Sequence, residues 1–200
     1  MSDTFLNKLI KTERMVFDNE KKVYMDKLYK PDKSKKTTVD KEIIFLIDKI
    51  NSLLEYYTTS SCAGRIVLIT IPKKNRKDLS KWLFSSHKKI KFSELPLTKF
   101  PKETVYFRQE GLILHIACKD IESAQKIVDK AKFVGFKRSG IMATSKRIIV
   151  EICSTEKLEA PICKNGKLIV SDEYLKFLIF EANKKMKQNE IKTKKFYRLM

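Results

Sequence analysis

A polar segment in the first third of the chain carries side chains well suited to bind a charged ligand. Residues 57–65 read Y-T-T-S-S-C-A-G-R, with four consecutive hydroxyl side chains. Gly64 lacks a Cβ atom, so a ligand or another stretch of backbone can approach it closely. Arg65 offers a planar fork of donors that fits a carboxylate or a phosphate. The segment is either a polar turn between a helix and a strand, because hydroxyls favour turns, or a binding loop for an anionic or zwitterionic ligand.

Two histidines, His87 and His115, are the only ones in the chain. Either imidazole can accept a proton near neutral pH, which makes both candidates for a catalytic base. His115 lies between apolar residues in a predicted strand, so the alternative is a hydrogen-bonded core residue. His87 lies at the predicted end of a helix, so the alternative is a surface C-cap. The residues alone do not choose between these roles.

The charge of the chain favours a polyanionic partner. Lysine and arginine number 43 against 24 acidic residues, which gives a formal net charge of +19. Such an excess favours nucleic acid first and an anionic membrane second. The lysines form runs at 33–41, 73–77, 88–91 and 184–195. Aromatic residues near these runs, Trp82 among them, could stack on unpaired bases.

Apolar periodicity predicts helices and strands in a mixed order, which favours an α+β fold with a mixed sheet. The segment 57–65 leads from a helix into a strand in this interpretation, and an Asn165-Gly166 pair predicts a hairpin turn. No glycine-rich turn of the dinucleotide-binding type occurs, so a doubly wound parallel sheet is not expected. The predicted helices are 3–29, 39–56, 78–86, 121–134 and one following Ser171. The predicted strands are 65–71, 105–107, 112–118, 140–143 and 147–153.

Composition also limits the class of protein. We expect one domain over 1–200, with a helical arm and basic linker at 1–36 and an α+β core at 37–200. The four cysteines form no C-x-x-C pair, so neither a zinc site nor a disulfide framework is expected. No signal peptide and no apolar run of about 18 residues is visible, so we expect a cytoplasmic protein without a membrane anchor or a metal.

Several motifs occur in an order that resembles the wybutosine-synthesising methyltransferase family. The first is the run from Thr58 to Ile66, and the resemblance extends from about Val39 to Asn183. Ala63 and the lead-in 54–57 depart from the family pattern without touching the Ser-Ser-Cys-x-Gly-Arg frame. The other matching pieces are Trp82 with Ser86-His87-Lys88, Gln109-Glu110 with 114–117, the run 135–141, Val150-Glu151-Ile152 with 154–156, and 173–175 with Ala182-Asn183.

The resemblance implies transfer of a methyl group from S-adenosyl-L-methionine to N-4 of a 4-demethylwyosine-type base at position 37 of tRNA(Phe), in the anticodon loop. A sulfonium methyl is already activated, so Cys62 need not act as a nucleophile and could be a small residue that fixes the loop. We assign candidate roles accordingly. The catalytic candidates are His87 and His115; the cofactor-binding candidates are Ser60, Ser61, Cys62, Gly64, Arg65, Ser139 and Gly140; the tRNA-binding candidates are Trp82, Lys88, Lys137 and Arg138.

Two other classes of protein share some of these features. A non-catalytic RNA-binding module would have the same basic surface but would not bind S-adenosyl-L-methionine. An enzyme acting on a small anionic metabolite would leave most of the lysine surface without a use.

Overall fold

The computed structural model describes residues 3–28, 39–71 and 80–200. They group into two compact units: the first comprises Met1–Cys62, Ile113–Cys153 and Lys194–Met200, and the second comprises Ala63–Leu112 and Ser154–Thr193. In chain order the elements are α1 (Asp3–Leu28), α2 (Ile44–Ser52), β1 (Tyr56–Cys62), β2 (Arg65–Thr70), β3 (Trp82–Ser86), β4 (Val105–Glu110), β5 (Ile113–Cys118), α3 (Ile121–Phe133), β6 (Gly140–Ala143), β7 (Ile148–Cys153), β8 (Leu158–Lys164), β9 (Lys167–Leu168) and α4 (Asp172–Leu199), with 3-10 turns at Lys41–Ile43 and Phe92–Glu94.

The first unit is built on a four-stranded sheet with the order β1-β5-β7-β6. Helix α2 packs against β1, and α3 packs against β5, β6 and β7. The apolar positions of these elements are buried because they alternate along the strands and recur at three- and four-residue steps along the helices. The fully buried side chains of these elements include Leu46, Ile47, Ile50, Leu114, Ile116, Ile127, Val150 and Ile152.

The second unit is built on a five-stranded sheet with the order β3-β2-β4-β8-β9. The middle strands β2 and β4 pair antiparallel in a continuous register from Arg65 with Glu110 to Thr70 with Val105. One face of α4 supplies the apolar residues that cover this sheet. The core includes Ile66, Leu68, Val105, Phe107, Ile162, Leu175, Leu178, Ala182 and Met186.

Helix α3 and the β8–β9 hairpin confirm the predictions that rested on local signals. The Asp120 carboxylate accepts a hydrogen bond from the Ser123 N–H at 2.7 Å, as an N-cap should. Gly135, at φ 106°, follows the end of α3, where a left-handed residue is needed. Asn165 and Gly166 both have positive φ, at 51° and 76°, in the turn between β8 and β9.

The predicted polar loop is wrong in its secondary structure. Residues 56–62 form strand β1 and pair with β5, so the helix predicted to run to Tyr56 ends at Ser52. The reason is that tyrosine and threonine favour strands, and a partner strand distant in sequence satisfies their backbone groups. The turn itself is confined to Ala63 and Gly64, between β1 and β2.

The helix predicted over 78–86 is also wrong in the part that the structure describes. Residues 82–86 form strand β3, which pairs antiparallel with β2 at one edge of the sheet. Trp82, Leu83 and Phe84 are large side chains that favour a pleated surface. His87 therefore follows a strand, not a helix.

The α+β prediction is confirmed, and so is the expectation that the sheet is not doubly wound. The expected mixed sheet is instead two sheets, and every pairing among the described strands is antiparallel. Single-domain organisation over 1–200 stays a prediction. The predicted basic linker before residue 37 and the lysine run 73–77 lie outside the described residues. Within the part that the structure describes, no helix combines the length and apolarity needed to cross a membrane.

Candidate functional site

Three polar side chains lie side by side on one face of the first unit's sheet. Ser60 pairs with His115, and His115 pairs with Glu151, in neighbouring strands. The Ser60 Oγ lies 2.7 Å from His115 Nδ1. The other ring nitrogen, Nε2, lies 3.0 Å from the Glu151 carboxylate. The side chain of His115 is 28% exposed, so it is a partly accessible group and not the core residue of the alternative interpretation.

The hydroxyls that precede Ser60 are used within the first unit. Thr58 is buried, and its N–H donates to the Asn51 side-chain oxygen at 2.8 Å while its hydroxyl lies 3.1 Å from the Asn51 amide nitrogen. The Thr59 hydroxyl reaches the His115 carbonyl at 3.4 Å. These contacts hold β1 in place, so the residues of β1 that are candidates to contact a ligand are 60–62, at its C-terminal end.

Tyr57 anchors the same strand from its other end. Its hydroxyl donates to Glu20 at 2.9 Å. Burial, together with this hydrogen bond and the Glu20 charge, raises the pKa of the Tyr57 phenol well above its usual range. The phenol therefore stays protonated and holds α1 on β1.

The predicted ligand residues between α3 and β6 divide into buried and exposed groups. Ser139 is buried, and its hydroxyl accepts from the Cys153 N–H at 3.3 Å, which is a structural contact. Lys137 and Arg138 are exposed on the turn before β6. Gly140 pairs with Glu151, and a Cβ added there would meet no atom within 4 Å. Gly140 therefore lies next to Glu151 at the end of the row formed by Ser60, His115 and Glu151, and the space above it is empty of protein atoms within 4 Å.

Gly64, in the second unit, combines a positive φ with a close approach to another backbone segment. Its φ of 92° lies in a region that other residues rarely adopt. A Cβ at this position would lie 2.6 Å from the Glu110 carbonyl oxygen and 3.0 Å from the Gly111 carbonyl carbon. Two backbone segments therefore approach each other here as only a glycine permits.

Side chains from distant parts of the second unit hold this turn. Asn189 donates from Nδ2 to the Ala63 carbonyl at 2.9 Å and accepts from the Leu112 N–H at 2.9 Å. His87 Nδ1 lies 2.9 Å from the Gly64 carbonyl. Because a carbonyl only accepts, Nδ1 carries the proton, and the neutral ring has its proton-accepting lone pair on Nε2.

Arg65 is held by two partners at the start of β2. Its Nε donates to the Glu110 carboxylate at 2.8 Å, and its guanidinium carbon lies 4.2 Å from the centre of the Trp82 ring. Trp82 is 48% exposed, so part of its ring is accessible, and an accessible indole is suited to stack on a base. Lys88 is exposed just after His87, in a turn closed by Ser86.

Of the predicted site residues, the structure gathers Ser60, His115 and Gly140 in one row of the first unit. It gathers Gly64, Arg65, Trp82 and His87 around one turn of the second unit. Ser61 and Cys62 end β1, and both are half-buried.

Four residues that matter to these two groups were not among the predicted site residues. Glu110 and Glu151 were considered from the sequence as binders of a ribose hydroxyl or of the amino acid side chain of the substrate, with an ordinary surface salt bridge as the default, but they were assigned no role. Asn189 could have been noticed, because it falls on the apolar stripe of α4, in step with Ala182 and Met186. Asp40, whose carboxylate lies within 4.8 Å of the Cys62 thiol in the first unit, has no sequence signal of its own.

We expect Asn189→Leu to destabilise the protein by roughly 2–5 kcal/mol, because each buried backbone group left unpaired costs about 1–3 kcal/mol. Thermal unfolding should then shift down by about 5–15 °C. Gln188→Leu, on the exposed neighbouring position of α4, is the matched control and should leave the melting temperature nearly unchanged. Equal melting temperatures for the two variants would contradict this role of Asn189.

Comparisons with known proteins agree with one another. The sequence model of the family described as Methyltransferase TYW3 matches residues 19–200. The chain is 46% identical over 154 residues, 75% of this chain and 80% of the relative, to the tRNA(Phe) 7-((3-amino-3-carboxypropyl)-4-demethylwyosine(37)-N(4))-methyltransferase of Methanocaldococcus jannaschii. It is 38% identical to the tRNA wybutosine-synthesizing protein 3 homolog of Xenopus laevis over 84% of this chain and 69% of that protein.

A solved structure gives the same result. The PH1069 protein from Pyrococcus horikoshii matches with a TM-score of 0.86 and 34% identity, over 93% of this chain and 96% of that one. The family match includes most of the first unit, the whole of the second unit and every predicted site residue. The chain therefore belongs to the Methyltransferase TYW3 family.

Proposed function

We propose that this chain transfers a methyl group from S-adenosyl-L-methionine to N-4 of the 4-demethylwyosine-type base at position 37 of tRNA(Phe). The observation that carries the proposal is family membership, with relatives in Methanocaldococcus jannaschii and Thermococcus sibiricus that are named as N(4)-methyltransferases of 4-demethylwyosine at position 37 of tRNA(Phe). The net charge of +19 supports a polyanionic substrate. We also assign the chain to the cytoplasm, where it would meet tRNA.

The donor set around residues 60–65 fits the cofactor. S-adenosyl-L-methionine, when bound, supplies a methyl group on a positively charged sulfur. Arg65 presents a guanidinium suited to a carboxylate, while Ser60 and Ser61 present hydroxyls suited to polar groups. Gly64, where a Cβ would clash, lets backbone approach closely. The other candidates, Cys62 and Gly140, lie in the first unit, where the buried Ser139 hydroxyl accepts from the Cys153 N–H and braces β7 against the turn.

The acceptor nitrogen must lose a proton when it gains the methyl group. The new carbon–nitrogen bond replaces the carbon–sulfur bond, and the N-4 proton passes to a base or to solvent. We assign this role to His87, because its Nδ1 donates to the Gly64 carbonyl and so fixes the ring beside the turn that leads to Arg65. His115 lies between the Ser60 hydroxyl and the Glu151 carboxylate, and we assign it to positioning.

We propose that exposed side chains contact the anticodon loop of tRNA(Phe). Trp82 offers a ring face for stacking, and Lys88, Lys137 and Arg138 offer cations for phosphates. The lysines of α4 extend the basic surface. Such contacts position the RNA, while the chemistry depends on the residues around 60–65.

The proposal is tested by incubating the purified chain with S-adenosyl-L-methionine and tRNA(Phe) that carries the unmethylated base. Mass spectrometry of the digested tRNA should reveal the gain of one methyl group on that base. tRNA(Phe) with an unmodified guanosine at position 37 is the control and should remain unchanged. A chain that binds tRNA but neither binds the cofactor nor methylates the base would be an RNA-binding module instead.

We expect tRNA binding to weaken steeply with salt. Each neutralised phosphate contributes about 0.7–0.9 to the slope of log affinity against log salt concentration, because bound counterions are released. Replacing Lys194 and Lys195 by glutamine should lower the slope by about one to two. The matched control replaces Lys126 and Lys132, exposed lysines on α3. An affinity independent of salt, measured by filter binding or anisotropy, would exclude the electrostatic surface.

A further inference from the structure

In its neutral form, His115 gives the row on the first unit's sheet a single hydrogen-bond polarity. The Glu151 carboxylate can only accept, so the 3.0 Å contact requires a proton on His115 Nε2. The neutral ring then has its lone pair on Nδ1, which accepts the Ser60 hydroxyl proton at 2.7 Å. The Ser60 hydroxyl proton therefore points to His115 Nδ1, and the Ser60 oxygen is available to accept a hydrogen bond from a ligand. The row thus sets which way an exposed hydroxyl points.

The charge of the row selects the kind of group that can approach it. With His115 neutral, Glu151 is the only formal charge among Ser60, His115, Glu151 and Gly140. A phosphate would be repelled by the carboxylate and would find no donor at the Ser60 oxygen. A positively charged hydrogen-bond donor, in contrast, is attracted by the Glu151 carboxylate and can donate to the Ser60 oxygen. Beside Glu151, the Cβ position of Gly140 has no atom within 4 Å, so the row has room for such a group.

We propose that His115 and Glu151 are positioning residues that present the Ser60 oxygen as an acceptor for the α-ammonium group of an amino acid tail. This inference rests on the proposed function, which supplies two sources of that group. The cofactor ends in a methionine tail. The substrate base named for the relatives carries a 3-amino-3-carboxypropyl tail, which has the same ammonium group.

Glu151→Gln tests the polarity with little change of shape. The glutamine amide can donate as well as accept, so it no longer fixes the proton on His115 Nε2, and it removes the negative charge that favours an ammonium group. Ser60→Ala removes the acceptor altogether. Glu159→Gln, which also removes a carboxylate from a strand but lies in the second unit, is the control. Thermal unfolding of the three variants checks that each is folded.

The first arm measures calorimetric binding of two unreactive probes. S-adenosylhomocysteine has the amino acid tail, and methylthioadenosine lacks it. If the ammonium is that of the cofactor, Ser60→Ala and Glu151→Gln should weaken S-adenosylhomocysteine binding about ten-fold or more and leave methylthioadenosine binding unchanged. A residue with only a structural role would change both affinities together.

The second arm measures the KM for tRNA(Phe) with and without the 3-amino-3-carboxypropyl tail on the base. If the ammonium is that of the substrate, the two variants should raise the KM about ten-fold for the tailed base alone. The inference is overturned if neither arm distinguishes tailed from untailed ligands. Failure of the unmodified chain to bind S-adenosylhomocysteine at all would instead contradict the proposed function, so the two failures are distinguishable.

Discussion

Gly64→Ala should lower the rate of methyl transfer by about 100-fold, because displacement of aligned groups by even 1 Å has effects of that order. The added Cβ would lie 2.6 Å from the Glu110 carbonyl oxygen, which is part of a strand and cannot move without disturbing β4. Both the His87 contact to the Gly64 carbonyl and the position of Arg65 depend on this turn. The substitution therefore affects two candidate site residues at once.

The positive φ adds a cost in stability. A residue other than glycine at φ 92° is strained by about 1–3 kcal/mol, so the melting temperature should also fall. Gly140→Ala provides the stability comparison, because its Cβ would meet no atom within 4 Å. Thermal unfolding and steady-state methylation of both variants are the measurements. A Gly64→Ala variant with normal melting temperature and normal turnover would mean that the turn tolerates a side chain.

Local signals in the sequence predicted the parts of the fold that local chemistry determines. Helix α3 begins at the Asp120 cap and ends before Gly135, and the Asn165-Gly166 pair forms its hairpin. Strand β2 was predicted to within one residue, because its apolar run suits the middle of a sheet. In these cases the information lies within a few residues of the feature.

The errors occur where a distant partner decides the conformation. Strand β1 pairs with β5, more than 50 residues away, and without that pairing its hydroxyl run is typical of a turn. Strand β3 also depends on a partner strand, since it lies at the edge of its sheet and pairs with β2 alone among the described strands. A polar run between a helix and a strand is therefore weak evidence for a loop when β-branched and aromatic residues begin it.

The candidate site residues also divide into those that the sequence alone indicates and those that only distant contacts identify. Arg65, Gly64 and the two histidines could be selected by residue type. Their partners could not, because Asn189 reaches Ala63 across 126 positions and Glu151 reaches His115 across 36. Only the strand register and the packing of α4 bring these groups together. The roles of all these residues in binding and catalysis stay predictions.

Arg65→Lys should lower turnover by roughly 10–100-fold although the charge is kept. The hydrogen bond from Nε to Glu110 is replaced by a contact of a flexible ammonium, and a hydrogen bond to a charged group contributes about 1.5–3 kcal/mol. The side chains of Arg65 and Glu110 are 30% and 32% exposed, so we expect this hydrogen bond to contribute near the lower end of that range. An ammonium also lacks the planar fork that can hold a carboxylate through two hydrogen bonds.

Tryptophan fluorescence can test the change at Arg65 without a methylation assay. Trp82 is the only tryptophan in the chain, and the Arg65 guanidinium lies 4.2 Å from its ring centre. Its fluorescence should change in Arg65→Lys and should respond less to added S-adenosylhomocysteine. Arg108→Lys is the matched control, since Arg108 on β4 also pairs with a glutamate and lies 5.8 Å from a tyrosine ring. Normal turnover and an unchanged tryptophan signal in Arg65→Lys would mean that charge alone is required at this position.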